Sequence, residues 1–146
     1  MQLLLEKVKI DMILKVGHTG SFSKTIGESD VYLYAGLTGD IHRNHIDESY
    51  ARTQPFGHRI AHGVLLLGLA STASSQITNQ PGVNSVSYGY DRVRHTAPVL
   101  LGDTVHAVET VESIDEERHM VYCSVTVTKD DGTVCLVATH LIKYFD

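Results

Sequence analysis

The chain has 146 residues, of which 42% are hydrophobic and 20% charged, with a formal net charge of −5. That length suits one domain spanning residues 1–146 with a real core, because a chain of this size buries roughly 70% of its unfolded surface, and the near-average composition excludes a disordered or coiled-coil chain. The acidic balance, with no Lys/Arg cluster, excludes a general nucleic-acid binder; the apolar run Val64 to Ala70 is far short of the roughly 20 residues that cross a bilayer. Glu6, Lys7, Lys9 and Asp11 interrupt the leucines at 3–5 before a signal-peptide core forms, so the expectation is a cytoplasmic protein with no membrane partner.

In chain order, Leu3 to Val16 alternates through Val8, Ile10, Met12 and Leu14 and reads as extended, and Gly17 to Gly20 as a turn. Ser29 is placed to cap a short helix, with Asp30 in its first turn, Val31 to Leu37 following and Gly39 at its end. Asp40 to Ile46 is a short polar connection, and Asp47 caps a second short helix containing Glu48, Tyr50 and Ala51. After Gly57 and Gly63, Val64 to Gln76 carries no charged residue; a helix apolar nearly all round is buried nearly all round, and Gly68, Ala70, Ser71, Ala73 and Ser74 let strands approach its axis.

Beyond Pro81 and Gly82 come four strand signals: Val83 to Arg94, Thr104 to Ile114, Met120 to Lys129 and Thr133 to Tyr144. Val121, Cys123, Val125 and Val127 alternate with polar residues at period two, and Asp130-Asp131-Gly132 supplies a hairpin turn. The fold class is α+β, one helix laid across a curved antiparallel sheet. Cys123 and Cys135 fall on strands joined by that turn, in a register that sets Cys123 near Thr139, so they read as reduced thiols packed as small hydrophobes.

For chemistry, an acid at Asp40 and an imidazole at His45 in one short loop is a weak signal alone. Its setting strengthens it: a helix-ending glycine before, a capping Asp47 after, and His62-Gly63 opening a charge-free helix. The pairs His42 with His45 and His58 with His62 invite a metal, but Gly57 and Gly63 bracket the second pair and no acid-plus-His zinc constellation accompanies it, so no metal is expected. No Gly-x-Ser-x-Gly occurs and neither Cys sits in a helix-start context, which speaks against a nucleophilic hydrolase.

Four ordered segments resemble the MaoC-like dehydratases, which include the (R)-specific enoyl-CoA hydratases: Lys15-Val16-Gly17, Leu37-Thr38-Gly39-Asp40 through His45-Ile46-Asp47, Ala61-His62-Gly63, and Pro98-Val99-Leu100-Leu101-Gly102-Asp103-Thr104. The resemblance implies a hot-dog fold, a long central helix wrapped by an antiparallel sheet. It implies that Asp40 and His45 hold a catalytic water, that the Gly63 N–H receives the thioester oxygen, and that Ser71 hydrogen-bonds the pair and orients it. The family's usual Asp-x-Asn-Pro-x-His reads Asp40-Ile41-His42-Arg43-Asn44-His45 here; losing the proline removes a φ restraint from the loop, and His42 and Arg43 add positive charge beside the site. Arg43, and Arg92 and Arg94 on one strand face, are the expected contacts to coenzyme A phosphates, and His62, with His58, is expected in the loop over the substrate.

The implied activity is a lyase: reversible addition of water to a 2-enoyl thioester, giving an (R)-3-hydroxyacyl thioester. That reaction needs a base for the water, an acid for the α-carbon and a donor for the enolate oxygen. The substrate is an acyl-CoA or an acyl-carrier-protein thioester, with no cofactor besides the coenzyme A of the substrate itself. The resemblance also implies at least a homodimer, with sheets continuous between protomers. Two alternatives remain: a hot-dog thioesterase, against which the lack of a carboxylate in Val64 to Gln76 speaks, and a non-catalytic acyl-CoA-binding subunit.

Overall fold

The computed structural model describes residues 9–145. The expected extended run at the start is replaced by one helical turn, α1 (Ile10–Ile13); residues 3–8 of that run lie outside the described residues. Ile10 and Leu14 suit either period, so Met12 decides between them. It is 68% exposed while Ile10 and Leu14 are buried against Ile77 and Val111, which is the i, i+4 spacing of a helical face.

The expected turn at Gly17 to Gly20 instead leads into strand β1 (Thr19–Thr25), with Thr19 opposite Thr110 and Thr25 opposite Thr104 of β3 (Thr104–Asp115). Gly20 lets β1 lie directly on the central helix α5 (Gly63–Thr78), since a β-carbon there would come within 2.1 Å of the Ala73 carbonyl oxygen.

Helix α2 (Glu28–Thr38) starts one residue before the expected cap. Gly27, not Ser29, is its N-cap, and the Gly27 N–H donates to the Asp30 carboxylate at 2.8 Å. Gly39 ends it as expected, at φ +80°, with its N–H donated to the Ala35 carbonyl. The connection that follows contains a further helical turn, α3 (Arg43–Ile46), before α4 (Glu48–Ala51), whose N-cap Asp47 accepts the Tyr50 N–H.

The remaining strands are β2 (Asn84–His95), β4 (Met120–Lys129) and β5 (Val134–Phe145), and the five form one antiparallel sheet in the order β1-β3-β4-β5-β2. A register irregularity at Val127/Thr128 sets Cys123 opposite His140, one residue from the expected Thr139. Both cysteines are buried and free.

Leu66, Ala70, Ala73 and Ile77 of α5 are buried, against sheet residues that include Val105, Val125 and Ile142. Burial all round, expected from the lack of charge, does not hold within one chain: Val64, Gly68, Ser71, Thr72 and Ser75 form an exposed stripe along the helix.

Candidate active site

The site is built at the start of α5. Ala61 donates its N–H to the Val99 carbonyl at 2.8 Å and Ile60 forms a bridge with Leu100, so the Pro98-to-Thr104 loop fixes the segment entering the helix. That loop is itself pinned: Asp103 accepts the Leu100 N–H at 2.9 Å and pairs with Lys129 at 3.2 Å, and Ile26 donates to the Asp103 carbonyl. Ile60 in turn donates its N–H to the Asn44 carbonyl, which ties α3 to the same segment.

The consequence falls on His45. Its Nδ1 lies 2.7 Å from the Ile60 carbonyl oxygen; a carbonyl only accepts, so Nδ1 carries the proton and Nε2 is left as a lone-pair acceptor. Burial pushes the His45 imidazole below its usual value, only partly opposed by the Ile60 hydrogen bond. The ring therefore stays neutral, and basic at Nε2, to lower pH than an exposed histidine.

His62, the N-cap of α5, stacks on His45 with ring centroids 3.8 Å apart, and Tyr34 of α2 packs on it at 4.7 Å. Its Nε2 donates to the Asp40 backbone carbonyl at 2.9 Å and lies 4.0 Å from the Asp40 carboxylate. Asp40 is half exposed and accepts the His42 N–H. Donor atoms of Asp40, His45 and His62 all lie within 4.8 Å of one another, a spacing that one water spans with ordinary hydrogen bonds of about 2.8 Å to each side.

Of the two metal pairs considered from the sequence, His42 caps α3 by accepting the Asn44 N–H and His58 pairs with Glu48 at 2.9 Å, whereas His45 and His62 stand with Asp40 in a group whose spacing could also hold a metal ion. Glu48 is a hub, held down to about 2 chiefly by that His58 hydrogen bond and by the Arg59 N–H.

The other expected site residues are placed as follows. Gly63 opens α5, but its Cα is covered: a β-carbon there would meet three atoms of the His95 ring at 2.8–2.9 Å. Three near-equal distances mean that the ring lies face-on to the helix start. His62 is 2% exposed, so it supports His45 and Asp40 from behind instead of lying over a substrate.

Arg43 does not project as a free charge beside the site. Both Nε and Nη2 bond Asp47, at 3.0 and 2.9 Å, and the guanidinium sits over the Tyr50 ring. Arg92 and Arg94 are exposed, but a β-bulge between Asp91 and Arg94, with Arg92 at φ +52°, breaks the alternation that would set them on one face. Ser71 lies two turns along α5 from Gly63, about 12 Å at 1.5 Å per residue. Its neighbours are Tyr90 and a group of hydroxyl side chains near the far end of the helix, not Asp40 or His45.

Two contributors escaped the sequence reading. His95 has no local signal, since only the pairing of β2 carries the end of that strand to the helix start. Arg59 bonds Glu28 at 2.7 Å, Tyr32 at 2.7 Å and Glu48 at 3.3 Å, clamping α2 and α4 to the residue before Ile60.

The MaoC-like domain model matches residues 14–133. The (R)-specific enoyl-CoA hydratase of Rhodospirillum rubrum is 41% identical over 115 residues, 79% of this chain and 78% of that protein. The 3-hydroxyacyl-thioester dehydratase Z of Mycobacterium tuberculosis is 36% identical over 125 residues, covering 82% and 83%. Among solved structures, the (R)-hydratase from Aeromonas caviae involved in PHA biosynthesis superposes with a TM-score of 0.81 at 28% identity, over 89% of this chain and 96% of that one. The antiparallel sheet laid over α5 is the same arrangement, and the chain belongs to the MaoC-like dehydratase family, of the (R)-specific enoyl-CoA hydratase type, with its hot-dog fold.

Proposed function

We propose that Asp40 and His45 hold one water and add it across the double bond of a trans-2-enoyl thioester, giving an (R)-3-hydroxyacyl thioester, or run the same step in reverse. The observation that carries this reading is the His45 tautomer: with Nδ1 committed to the Ile60 carbonyl, Nε2 is left to take a proton, and a ring nitrogen of His45 lies within 4.8 Å of an Asp40 carboxylate oxygen. His45 and Asp40 polarise the water; its hydroxyl goes to the β-carbon and a proton to the α-carbon from the same face.

The enolate oxygen that develops is received by the N–H of Gly63 at the positive end of a 16-residue helix. His95, lying over that glycine, swings aside for the thioester or presents its own N–H to it. Coenzyme A enters as part of the substrate, with Arg92 and Arg94 as exposed partners for its phosphates. Ser71 reaches an Asp–His pair only if a second protomer brings one to it.

A homodimer is part of this reading. The apolar side chains Leu33, Leu37, Ile41 and Val64 are all more than half exposed, and the open stripe of α5 lacks a cover among the described residues. The direct test follows the absorbance of crotonyl-CoA after adding pure protein, with chiral analysis of the product. Loss of the enoyl absorbance with (R) product is expected; no turnover across short, medium and branched enoyl chains removes the reading.

A further inference from the structure

A second set of polar groups lies away from the start of α5. Glu109 of β3 and His140 of β5 are wholly buried on the helix-facing side of the sheet, between the two apolar clusters of the core. The His140 Nδ1 lies 2.8 Å from Glu109 Oε1, and its Nε2 lies 2.8 Å from the Ser87 hydroxyl of β2. The Ser87 side chain stands on the inner face of the sheet, so pairing along the free edge of β2 leaves it in place.

Burying a carboxylate with its second oxygen unpartnered, as Glu109 Oε2 is, is costly and calls for an explanation beyond packing. The neighbours supply one. Tyr90 stacks on His140 with centroids 4.1 Å apart and planes 7° from parallel, and its hydroxyl is buried, unpartnered and beside Ser71 and Ser87. A β-bulge follows Ser87 directly: Ser87 pairs with Ile142 and Gly89 with Leu141, leaving Tyr88 as the extra residue, and bulges re-aim side chains beside active sites. The Ser87 hydroxyl, not that of Tyr90, opens on a cavity of about 180 Å³ whose lining includes Ser71, Ser74, Ser75, Ser85, Ser87 and His140, room for roughly six waters or one short acyl group.

We propose that Ser87, His140 and Glu109 form a second centre, a serine nucleophile with its base and orienting carboxylate, that hydrolyses short-chain acyl thioesters or esters. The inference uses no atom of Asp40 or His45, although its cavity shares Ser71 and Ser75 with the stripe of α5 at the proposed dimer contact. Glu109 accepts the Nδ1 proton of His140, fixing the tautomer that leaves Nε2 to take the Ser87 proton. The Ser87 oxygen bonds the acyl carbon while its proton passes to Nε2, and the carbonyl oxygen, now negative, accepts from the Tyr90 hydroxyl. Collapse breaks the C–S or C–O bond, and His140 returns the proton to the leaving thiolate or alkoxide. Water then attacks the acyl-serine by the same route, releasing the carboxylic acid and restoring Ser87.

The test incubates the full chain with p-nitrophenyl butyrate, follows nitrophenol release, and maps the butyryl group by peptide mass spectrometry. A butyryl adduct on Ser87 is expected; Ser87→Ala should abolish it, and His140→Gln should slow acylation at least about 100-fold. Since replacing a buried base can prevent folding, Tyr90→Phe, which keeps the ring stack and removes only the hydroxyl, is the companion variant, with a loss of about 10² to 10³. The inference is overturned if Ser87 stays unmodified in folded protein, if Ser87→Ala releases nitrophenol at the full rate, or if Tyr90→Phe acylates as fast as the parent.

Discussion

At the scale of single residues, the site turns on which nitrogen of His45 is bare. Because burial depresses the His45 pKa, the acid limb of kcat/KM for hydration, which reports the free enzyme's base, is expected below the ordinary histidine value of about 6.5. The linkage to stability has the same cause. The unfolded chain takes up a proton on His45 near its ordinary value while the folded one does not, so the contribution is complete above that value and is lost as pH falls through the window down to the depressed folded value. His45→Ala should lower kcat by about 10² to 10⁴, flatten the acid limb, and remove its share of the pH-dependent unfolding; an unchanged limb would mean that another group is the base. Asp40→Asn, isosteric and at a half-exposed position, is expected to cut kcat comparably with little change in Tm, read by the same assay beside a thermal melt.

At the scale of elements, two contacts position the site. Gly20 admits β1 against α5. In Gly20→Ala a backbone oxygen, not a flexible side chain, stands in the way, so the cost is that of overpacking, about 1–3 kcal/mol, seen as a drop in Tm of roughly 3 to 10 °C. Arg59 clamps α2 and α4 beside Ile60, whose carbonyl aims His45. Arg59→Ala should therefore reduce kcat by roughly 10- to 100-fold, as slight misplacement of a catalytic group does, while KM is expected to stay near the parent's because the guanidinium is taken up by Glu28, Tyr32 and Glu48. Unchanged kcat would show that the clamp is dispensable.

The same elements show what was legible beforehand. The four later strands came out within a residue of their observed ends, because Val121 to Val127 alternate strictly and Asp130 to Gly132 can only turn. The strand Thr19–Thr25 was hidden because it has one large apolar residue, Phe22, and owes its existence to pairing with β3 and to a missing side chain at Gly20. Asp40 and His45 were readable from the loop between two caps. Their support by Ile60, His62 and His95 was not, since those contacts join segments 15 or more residues apart in sequence, and local patterns carry no such information. Arg43 is held for a local reason: Asp47 is one helical turn away and pairs with it.

At the scale of the molecule, the stripe of α5 formed by Val64, Gly68, Ser71, Thr72 and Ser75 is open in one chain of 16.1 kDa, although the helix carries no charge. An isolated surface position tolerates substitution within about 0.5 kcal/mol, whereas a charge placed in a protein interface is left desolvated and unpaired, which costs several kcal/mol. Thr72→Glu separates these two cases, since Thr72 lies on the stripe and outside the Asp40–His45 cluster. If the stripe is covered by a second copy, light scattering should give twice the chain mass for the parent and a concentration-dependent shift toward monomer for Thr72→Glu. Hydration should fall in step with the dimer fraction, recovering at high protein concentration. A variant with parent-like mass and rate at every concentration would place the dimer contact elsewhere and leave this stripe as solvent-facing helix.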